Sequence, residues 1–229
     1  MTKKIKSESL VDKAYDQIKH DLAQGNLKPG EKINFKELVD RYGISETPIK
    51  QALNRLVIED LVVSIPRKGM YVKEVSVQDF KEIIDIRYAL ESFLAPIIIE
   101  AVTYQPQYLE RLEENIKCHY RAIEEGTDSV EDFIRIYNID HEFHSIFMKA
   151  SGHSKALQVY ESIGAHTFSY FLYNKKPKSK LIDGVKEHEE ILKALKNQDL
   201  TSLQESIKLH MTNAKASLNF MFNNVTNII

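Results

Sequence analysis

The spacing of apolar residues changes sharply at Ser76, and this change constrains the fold more than any other feature. Before Ser76, short amphipathic segments alternate with turns, whereas after it long helical periodicities are interrupted only by short loops. Ser76 and Asp79 have the spacing of a capping box, which starts a helix. The sequence therefore predicts one domain over residues 8–75 and a second domain over residues 76–225.

The cysteine content and the apolar stretches limit the cellular setting. The single cysteine, Cys118, excludes a disulfide scaffold and a cysteine-based zinc site, and is ordinary for the reducing cytoplasm. The amino terminus lacks the apolar core of a secretory signal. The longest apolar stretch, Leu94 to Val102, is interrupted by Pro96 and Glu100 and is too short to cross a bilayer. We therefore expect a cytoplasmic protein with no membrane segment.

The first domain has the pattern of three short helices followed by a β-hairpin. Apolar residues at helical spacing predict helices over about 9–23 and 35–42, and a third helix after Ser45. A hairpin with a basic tip is predicted over 61–72. Two short helices joined at Gly43 are typical of a winged helix-turn-helix, which binds DNA through its second helix. A three-helix module used for protein contacts is the alternative.

The second helix, the exposed polar face of the third helix and the hairpin tip supply candidate DNA contacts. They are Lys36, Ser45, Glu46, Thr47, Lys50 and Asn54, with Arg67 and Lys68 on the wing. The whole chain has a net charge of −2, but residues 1–75 hold 14 basic and 11 acidic side chains. So small a surplus will not give tight binding through phosphate attraction alone, and a dimer that presents two such domains would compensate.

The motif of this first domain resembles the GntR family of bacterial transcription regulators. The matching residues are Gly25-x-Leu27-x-Pro29-Gly30, Leu38-x-x-Arg41-Tyr42-Gly43-Ile44-Ser45-x-Thr47-Pro48-Ile49-x-x-Ala52-Leu53-x-x-Leu56 and Pro66-Arg67-x-Gly69. The resemblance implies binding to a palindromic double-stranded DNA operator as a homodimer. Members of that family commonly carry arginine where this chain has Glu46, and arginine-glutamate where it has Lys50-Gln51. We therefore expect an operator that differs from the common family sites.

Helical periodicity continues through the whole second domain. Helices are predicted over about 77–102, 106–125, 129–150, 153–174, 178–197 and 200–223. The short connections favour antiparallel neighbours, so this domain is predicted to be an all-α bundle of six helices. The chain is thus predicted to be mainly α, with a winged helix-turn-helix followed by an all-helical effector-binding bundle.

Four polar residues of the second domain have a spacing that suits a metal ion. Asp140 and His144 are four residues apart and lie on one helix face, although these two alone could form an ordinary ion pair. His188 and His210 are equidistant from the turn at Asp199, which places them at one level of a helical hairpin. Three nitrogens and one oxygen suit zinc, nickel or another divalent metal, with positions left for water or a ligand.

These residues also resemble the metal site of the FCD ligand-binding domain, which defines the FadR-like branch of GntR proteins. The matching motifs are Asp140-x-x-Phe143-His144, Ala150-Ser151-Gly152, His188-x-x-Ile191-x-x-Ala194-Leu195 and His210. The resemblance implies an all-helical effector domain with a buried divalent metal held by Asp140, His144, His188 and His210. Most members have asparagine where this chain has His153, to which we assign no ligand role.

Arg87 and Asn138 are the candidates for binding an effector. Arg87-x-x-Leu90-Glu91 resembles a family stretch whose arginine often faces the cavity, and a guanidinium suits recognition of a carboxylate. The alternative for Arg87 is an ion pair with Glu91 on the helix exterior. Asn138 precedes Asp140 and is expected to line the same pocket. Surface or packing roles are assigned to His119, His141, His166 and Cys118.

These observations predict a ligand-responsive transcription regulator, a repressor rather than an activator, and not an enzyme. A small carboxylate effector would bind at the metal and shift the two DNA-reading domains of the dimer relative to two half-sites. Two alternatives stay open. The ion itself could be the signal, as in a metalloregulator, or the site could activate water in a metal-dependent hydrolase or lyase. No further acid–base group lies at a convincing spacing for the second alternative.

Overall fold

The computed structural model describes residues 9–163 and 178–223, with side chains described as far as residue 218. The chain divides into two compact units, Met1–Val75 and Ser76–Ile229. The predicted fold class is confirmed, because a winged helix-turn-helix is followed by a helical bundle. His166 and the end of the helix predicted over 153–174 lie outside the described residues.

The described part of the first unit consists of three helices and a two-stranded sheet. They are α1 (Leu10–Gln24), α2 (Phe35–Tyr42), α3 (Glu46–Ile58), β1 (Val62–Ile65) and β2 (Gly69–Val72). The strands are antiparallel, with Val62 opposite Val72 and Ile65 opposite Gly69. Arg67 lies in the turn between the strands with a φ of 63°, so the predicted wing is a tight hairpin.

Capping residues define the ends of the first two helices. The Ser9 hydroxyl accepts a hydrogen bond from the N–H of Asp12, and Gly25 ends α1 in the left-handed region with a φ of 76°. Asn34 caps the start of α2, and Gly43 ends it in the left-handed region. The three helices bury a shared apolar core that includes Ala14, Ile18, Leu22, Leu38, Ile49, Leu53 and Leu56.

Six helices make up the described part of the second unit. They are α4 (Val77–Tyr104), α5 (Gln107–Glu125), α6 (Val130–Ala150), α7 (Ser154–Ser162), α8 (Lys178–Lys196) and α9 (Leu200–Asn223). The predicted capping box is present: the Ser76 hydroxyl accepts from the N–H of Asp79, and the Asp79 carboxylate accepts from the N–H of Ser76. Among the helices of the described ranges, none combines the length and the apolar character needed to span a membrane.

The helices of the second unit pack around one interior. α4 packs along α9, α8 packs against α9 and α5, and α6 packs against α5 and α4. The core is apolar over most of its extent and includes Leu94, Ile98, Leu112, Phe143, Phe147, Val185 and Leu203. A small group of polar side chains is buried in the same unit, among them Glu91, Asn115, His119, His144, His188 and His210. Buried polar groups need partners, so these residues mark the candidate site.

Asp21 is a buried carboxylate that joins α1 to α2. Its Oδ2 accepts hydrogen bonds from Arg41 Nη1 at 2.6 Å and from the Tyr42 hydroxyl at 2.7 Å, and its Oδ1 accepts from Asn26 Nδ2 at 3.1 Å. Burial raises the pKa of Asp21, but the three hydrogen bonds outweigh burial and hold the pKa below its ordinary value. The ionised form of Asp21 therefore stabilises the first unit.

Replacing Asp21 by alanine should lower the free energy of unfolding by about 3 kcal/mol, because Arg41 loses a largely buried partner. Urea denaturation measures the loss, and Asp16→Ala, at an exposed position of α1, is the control. Because the pKa of Asp21 is lower in the folded chain, its contribution is present above the unfolded value of 3.8 and is lost as the pH falls below it. Equal losses in the two variants at neutral pH would contradict this role.

Candidate metal centre

Three imidazole rings meet in the interior of the second unit. His144 comes from α6, His188 from α8 and His210 from α9, and all three side chains are buried. The Nε2 atom of His144 lies 3.2 Å from Nε2 of His188 and 3.2 Å from Nε2 of His210. The structure thus brings together the three histidines that the sequence predicted as ligands.

Carboxylates lie behind two of these rings. Nδ1 of His144 is 3.1 Å from Oε2 of Glu91, and Nδ1 of His210 is 2.8 Å from Oε2 of Glu187. In a neutral imidazole one nitrogen carries the proton and the other carries a lone pair. An Nδ1–H that donates to a carboxylate leaves a lone pair on Nε2, which is the atom of each ring that faces the shared centre.

The spacing of the three nitrogens fits a divalent metal ion. Two lone pairs that face each other at 3.2 Å repel unless a cation or a proton lies between them. A tetrahedral ion with metal–nitrogen bonds of about 2.0–2.1 Å separates its ligand nitrogens by about 3.3 Å, and an octahedral ion separates neighbouring ones by about 3.0 Å. The observed separation lies between these values, so the residues fit zinc or nickel.

The fourth predicted ligand, Asp140, approaches the cluster through His188. Its Oδ1 lies 3.8 Å from Nε2 of His188, and its side chain is 32% exposed. Asp140 and His188 also form a triplet with His119 in which the three potential ligand atoms lie within 4.8 Å of one another. His119 is buried, and the sequence analysis gave it only a surface or packing role. No short-range spacing in the sequence relates His119 to Asp140 or His188, so its position beside them becomes apparent only from the packing of the helices.

The electrostatics of the cluster favour metal-binding protonation states. Burial lowers the pKa of His144 and of His188, so both rings stay neutral where a free histidine becomes charged. Burial raises the pKa of Asp140, but the positive charge around it, of which the guanidinium of Arg87 is a permanent part, outweighs burial and holds this pKa below its ordinary value. Neutral imidazoles and an ionised carboxylate are the forms that bind metals.

Arg87 faces the interior beside the cluster. Its Nε lies 3.6 Å from Oε1 of Glu91, so the expected ion pair exists but is buried rather than on the helix exterior. Burial raises the pKa of Glu91 to about 7. Among the described residues, Nε and Nη2 of Arg87 have no hydrogen-bond partner, and the buried hydroxyl of Tyr160 has none either. Burial also raises the pKa of Tyr160, and nearby Arg87 partly offsets this rise. Sequence spacing did not identify Tyr160.

The structure does not bring Asn138 to the cluster. Asn138 is exposed on α6, because two residues correspond to about 200° around a helix and Asp140 faces the opposite way. The structure therefore gives no support to the prediction that Asn138 lines the same pocket as Asp140. His141 stacks on Tyr160 with ring centroids 5.6 Å apart, and His153 is exposed at the start of α7.

The candidate DNA contacts of the first unit are all exposed. They are Lys36, Ser45, Glu46, Thr47, Lys50, Asn54, Arg67 and Lys68. On α3, Lys50 Nζ lies 2.6 Å from Oε1 of Glu46, one helical turn earlier, and both side chains are about half exposed. Ser45 has the backbone conformation of an N-cap, but among the described residues its hydroxyl makes no capping hydrogen bond. The polar surface of α3 is therefore accessible, and Glu46 and Lys50 on that surface are paired with each other.

Two family models match the chain. The model described as "Bacterial regulatory proteins, gntR family" matches residues 10–72, and the FCD domain model matches residues 82–213. The HTH-type transcriptional regulator McbR of Escherichia coli K12 is 30% identical over 86% of this chain and 87% of its own length. The HTH-type transcriptional repressor GlaR of the same organism is 25% identical over 86% of this chain and 90% of its own length.

A solved structure shares the same arrangement of elements. The structure of E. coli McbR/YncC matches with a TM-score of 0.68 and 27% identity, and the match covers 92% of this chain and 97% of that chain. The similarity therefore extends through both units of the chain rather than through the first unit alone.

A divalent metal should stabilise the folded chain through the histidine cluster. Adding Zn²⁺ or Ni²⁺ after chelator treatment should raise the unfolding temperature by about 5–10 °C when the free ion exceeds its Kd about 100-fold. His188→Ala should lose this response, because the ion loses the nitrogen that both donor groups share. His153→Ala, which removes an exposed histidine, is the matched control and should respond like the parent. A full response in His188→Ala would contradict the assignment.

Proposed function

The chain belongs to the GntR family of bacterial transcription regulators and carries an FCD domain, and from this premise we propose that it is a repressor controlled by a small organic acid bound at a metal ion. The GntR domain binds DNA, and the relatives named above are transcription regulators rather than enzymes. The single observation that carries the metal proposal is the convergence of three buried Nε2 atoms, with that of His144 lying 3.2 Å from those of His188 and His210. That GlaR is named a repressor supports the proposed direction of control.

His144, His188 and His210 would hold the ion, with Asp140 completing the set. When bound, a zinc or nickel ion would supply a Lewis-acidic position for an oxygen of the effector. Asp140 is the outermost member of the set, since its side chain is partly exposed whereas the histidines are buried. The effector would therefore approach the ion from the side of Asp140.

Arg87 and Tyr160 would bind the acidic group of the effector. Arg87 is paired with Glu91 at 3.6 Å, but its Nε and Nη2 form no hydrogen bond with any described residue, and an effector carboxylate would supply two acceptor oxygens. The Tyr160 hydroxyl adds a third donor on the same side. A carboxylate that also carries a hydroxyl or a second carboxylate could reach the metal and Arg87 at once. This chemistry favours hydroxy acids and dicarboxylic acids as effectors.

A homodimer would present two copies of the first unit to a palindromic operator. Ile86 and Phe93 lie seven residues apart on α4, which places them on one helix face, and the Phe93 side chain is 75% exposed. An exposed aromatic ring on such a face supports pairing of two copies through α4. Effector binding would change operator affinity through a difference in effector affinity between the DNA-competent and the released dimer.

The exposed residues of α3 would enter the major groove, with Arg67 and Lys68 on adjacent phosphates. Lys50 is the basic residue among the candidates on α3, so it is the α3 residue that could bind a DNA phosphate by charge. To do so it must exchange its ion pair with Glu46 for a DNA partner. Glu46 would then be free to accept a hydrogen bond from a cytosine amino group.

Lys50→Ala should weaken operator binding by about 10-fold and lower the slope of log affinity against log salt by about 1 for each protomer. Fluorescence anisotropy at several salt concentrations measures both quantities on an operator selected from random DNA. Lys149→Ala, at an exposed position of α6 in the second unit, is the matched control. An unchanged affinity and salt slope in Lys50→Ala would contradict the proposed docking of α3.

Tyr160→Phe should weaken binding of a carboxylate effector by about 10-fold without changing metal affinity, because only a donor to the effector is lost. Calorimetric titration with a panel of hydroxy acids and dicarboxylic acids, with and without chelator, identifies the effector and measures this loss. Tyr120→Phe, which removes a hydroxyl bonded to Glu189 on the surface, is the control. Effector binding that survives chelation would contradict metal bridging, and DNA release on chelation alone would favour a metalloregulator.

A further inference from the structure

Two carboxylates, Glu91 and Glu187, contact rings of the histidine cluster but are not among the predicted metal ligands. We propose that Glu91 and Glu187 are positioning residues that hold His144 and His210 in the tautomer and ring orientation that bind the metal. This inference rests on the metal site proposed above. Each carboxylate contacts the ring nitrogen that faces away from the shared centre.

The tautomer of a histidine decides whether it can bind an ion through a given nitrogen. Free imidazole exchanges its proton between Nδ1 and Nε2, and only the nitrogen without the proton can bind a metal. A carboxylate that accepts from Nδ1–H stabilises that tautomer and makes Nε2 a stronger donor. The contacts at 3.1 Å for Glu91 and 2.8 Å for Glu187 are of hydrogen-bond length.

The two carboxylates act between helices rather than within one. Glu91 on α4 contacts His144 on α6, and Glu187 on α8 contacts His210 on α9. Glu187 directly precedes His188, so α8 supplies one ligand and orients the ligand of the neighbouring helix. The native packing of these helices would therefore also determine which nitrogen of His144 and of His210 carries the proton.

His188 is oriented in a different way. Its ring stacks on Phe143 with a centroid distance of 3.9 Å and an interplanar angle of 5°. Among the described residues, Nδ1 of His188 has no hydrogen-bond partner. Packing fixes this ring, whereas hydrogen bonds fix the other two. The contrast indicates that the carboxylates serve specific rings and are not a general feature of the interior.

Glu187 is itself held in place. Its Oε2 contacts His210, and its Oε1 accepts a hydrogen bond from Nδ2 of Asn213 at 2.7 Å. Asn213 lies three residues after His210 on the same face of α9. The Glu187 side chain is 16% exposed, whereas Glu91 is almost fully buried and also pairs with Arg87. Glu187 is therefore the residue at which orientation can be tested with least risk to the fold.

Glu187→Gln should weaken binding of Zn²⁺ and Co²⁺ by about 10- to 100-fold, because a neutral amide is a poorer acceptor for Nδ1–H. Competition against a chromophoric chelator measures the affinity of the full chain. Glu190→Gln, three residues further along α8 with an exposed side chain paired to Lys193, is the matched control and should bind like the parent. Asn213→Ala should give a smaller loss, since it leaves the contact between Glu187 and His210 in place.

Separate readouts distinguish orientation from folding. The unfolding temperature of Glu187→Gln in chelator should match that of the parent, and its Co²⁺ absorption bands should shift because the geometry around the ion changes. Affinities of Glu187→Gln and Glu187→Ala within twofold of the parent would overturn the inference, as would an equal loss in Glu190→Gln. A parent chain that binds no metal would instead overturn the proposed metal site.

Discussion

Repulsion between the lone pairs of buried imidazoles is the constraint on which the second unit depends. Nε2 of His144 lies 3.2 Å from Nε2 of His188 and from Nε2 of His210, in an interior that is mostly apolar. Such an arrangement is stable only when a cation or a proton shares the lone pairs. Because three helices supply the rings and α4 supplies the carboxylate behind one of them, binding of the proposed metal ion would be energetically linked to packing of the bundle.

The two units handle buried charge in opposite ways. In the first unit, Asp21 receives hydrogen bonds from Arg41, Tyr42 and Asn26, which satisfy both carboxylate oxygens. In the second unit, Arg87 is paired with Glu91, but its Nε and Nη2 form no hydrogen bond with any described residue. A fully hydrogen-bonded charge stabilises one structure, whereas unused donors on a buried charge are suited to binding an acidic group. The difference is consistent with the proposed division of the chain into a DNA-reading unit and an effector-binding unit.

The sequence predicts the parts of this structure that depend on local spacing. The capping box at Ser76, the turn at Gly43 and the placement of His188 opposite His210 each follow from short-range rules. The rotation of a helix about its own axis is set by the neighbours against which it packs, so local spacing could not show that Arg87 faces inward or that Asn138 faces outward. Only tertiary packing shows that His119 and Tyr160 lie beside the cluster, and that Glu187, the neighbour of His188 in the sequence, contacts His210 on another helix.

The ion pair between Glu46 and Lys50 has a consequence for how the protein searches a genome. On a half-exposed helix face such a pair stabilises the chain by only about 0.3–0.5 kcal/mol, so a correct partner breaks it easily. If α3 docks on DNA as proposed, Lys50 would gain a phosphate of arbitrary DNA only by leaving Glu46 unpaired next to the same negative backbone. The protein would therefore stay only briefly on DNA outside its operator. The small surplus of positive charge on residues 1–75 would then be an advantage, because weak non-specific binding lets the protein sample many sites rapidly.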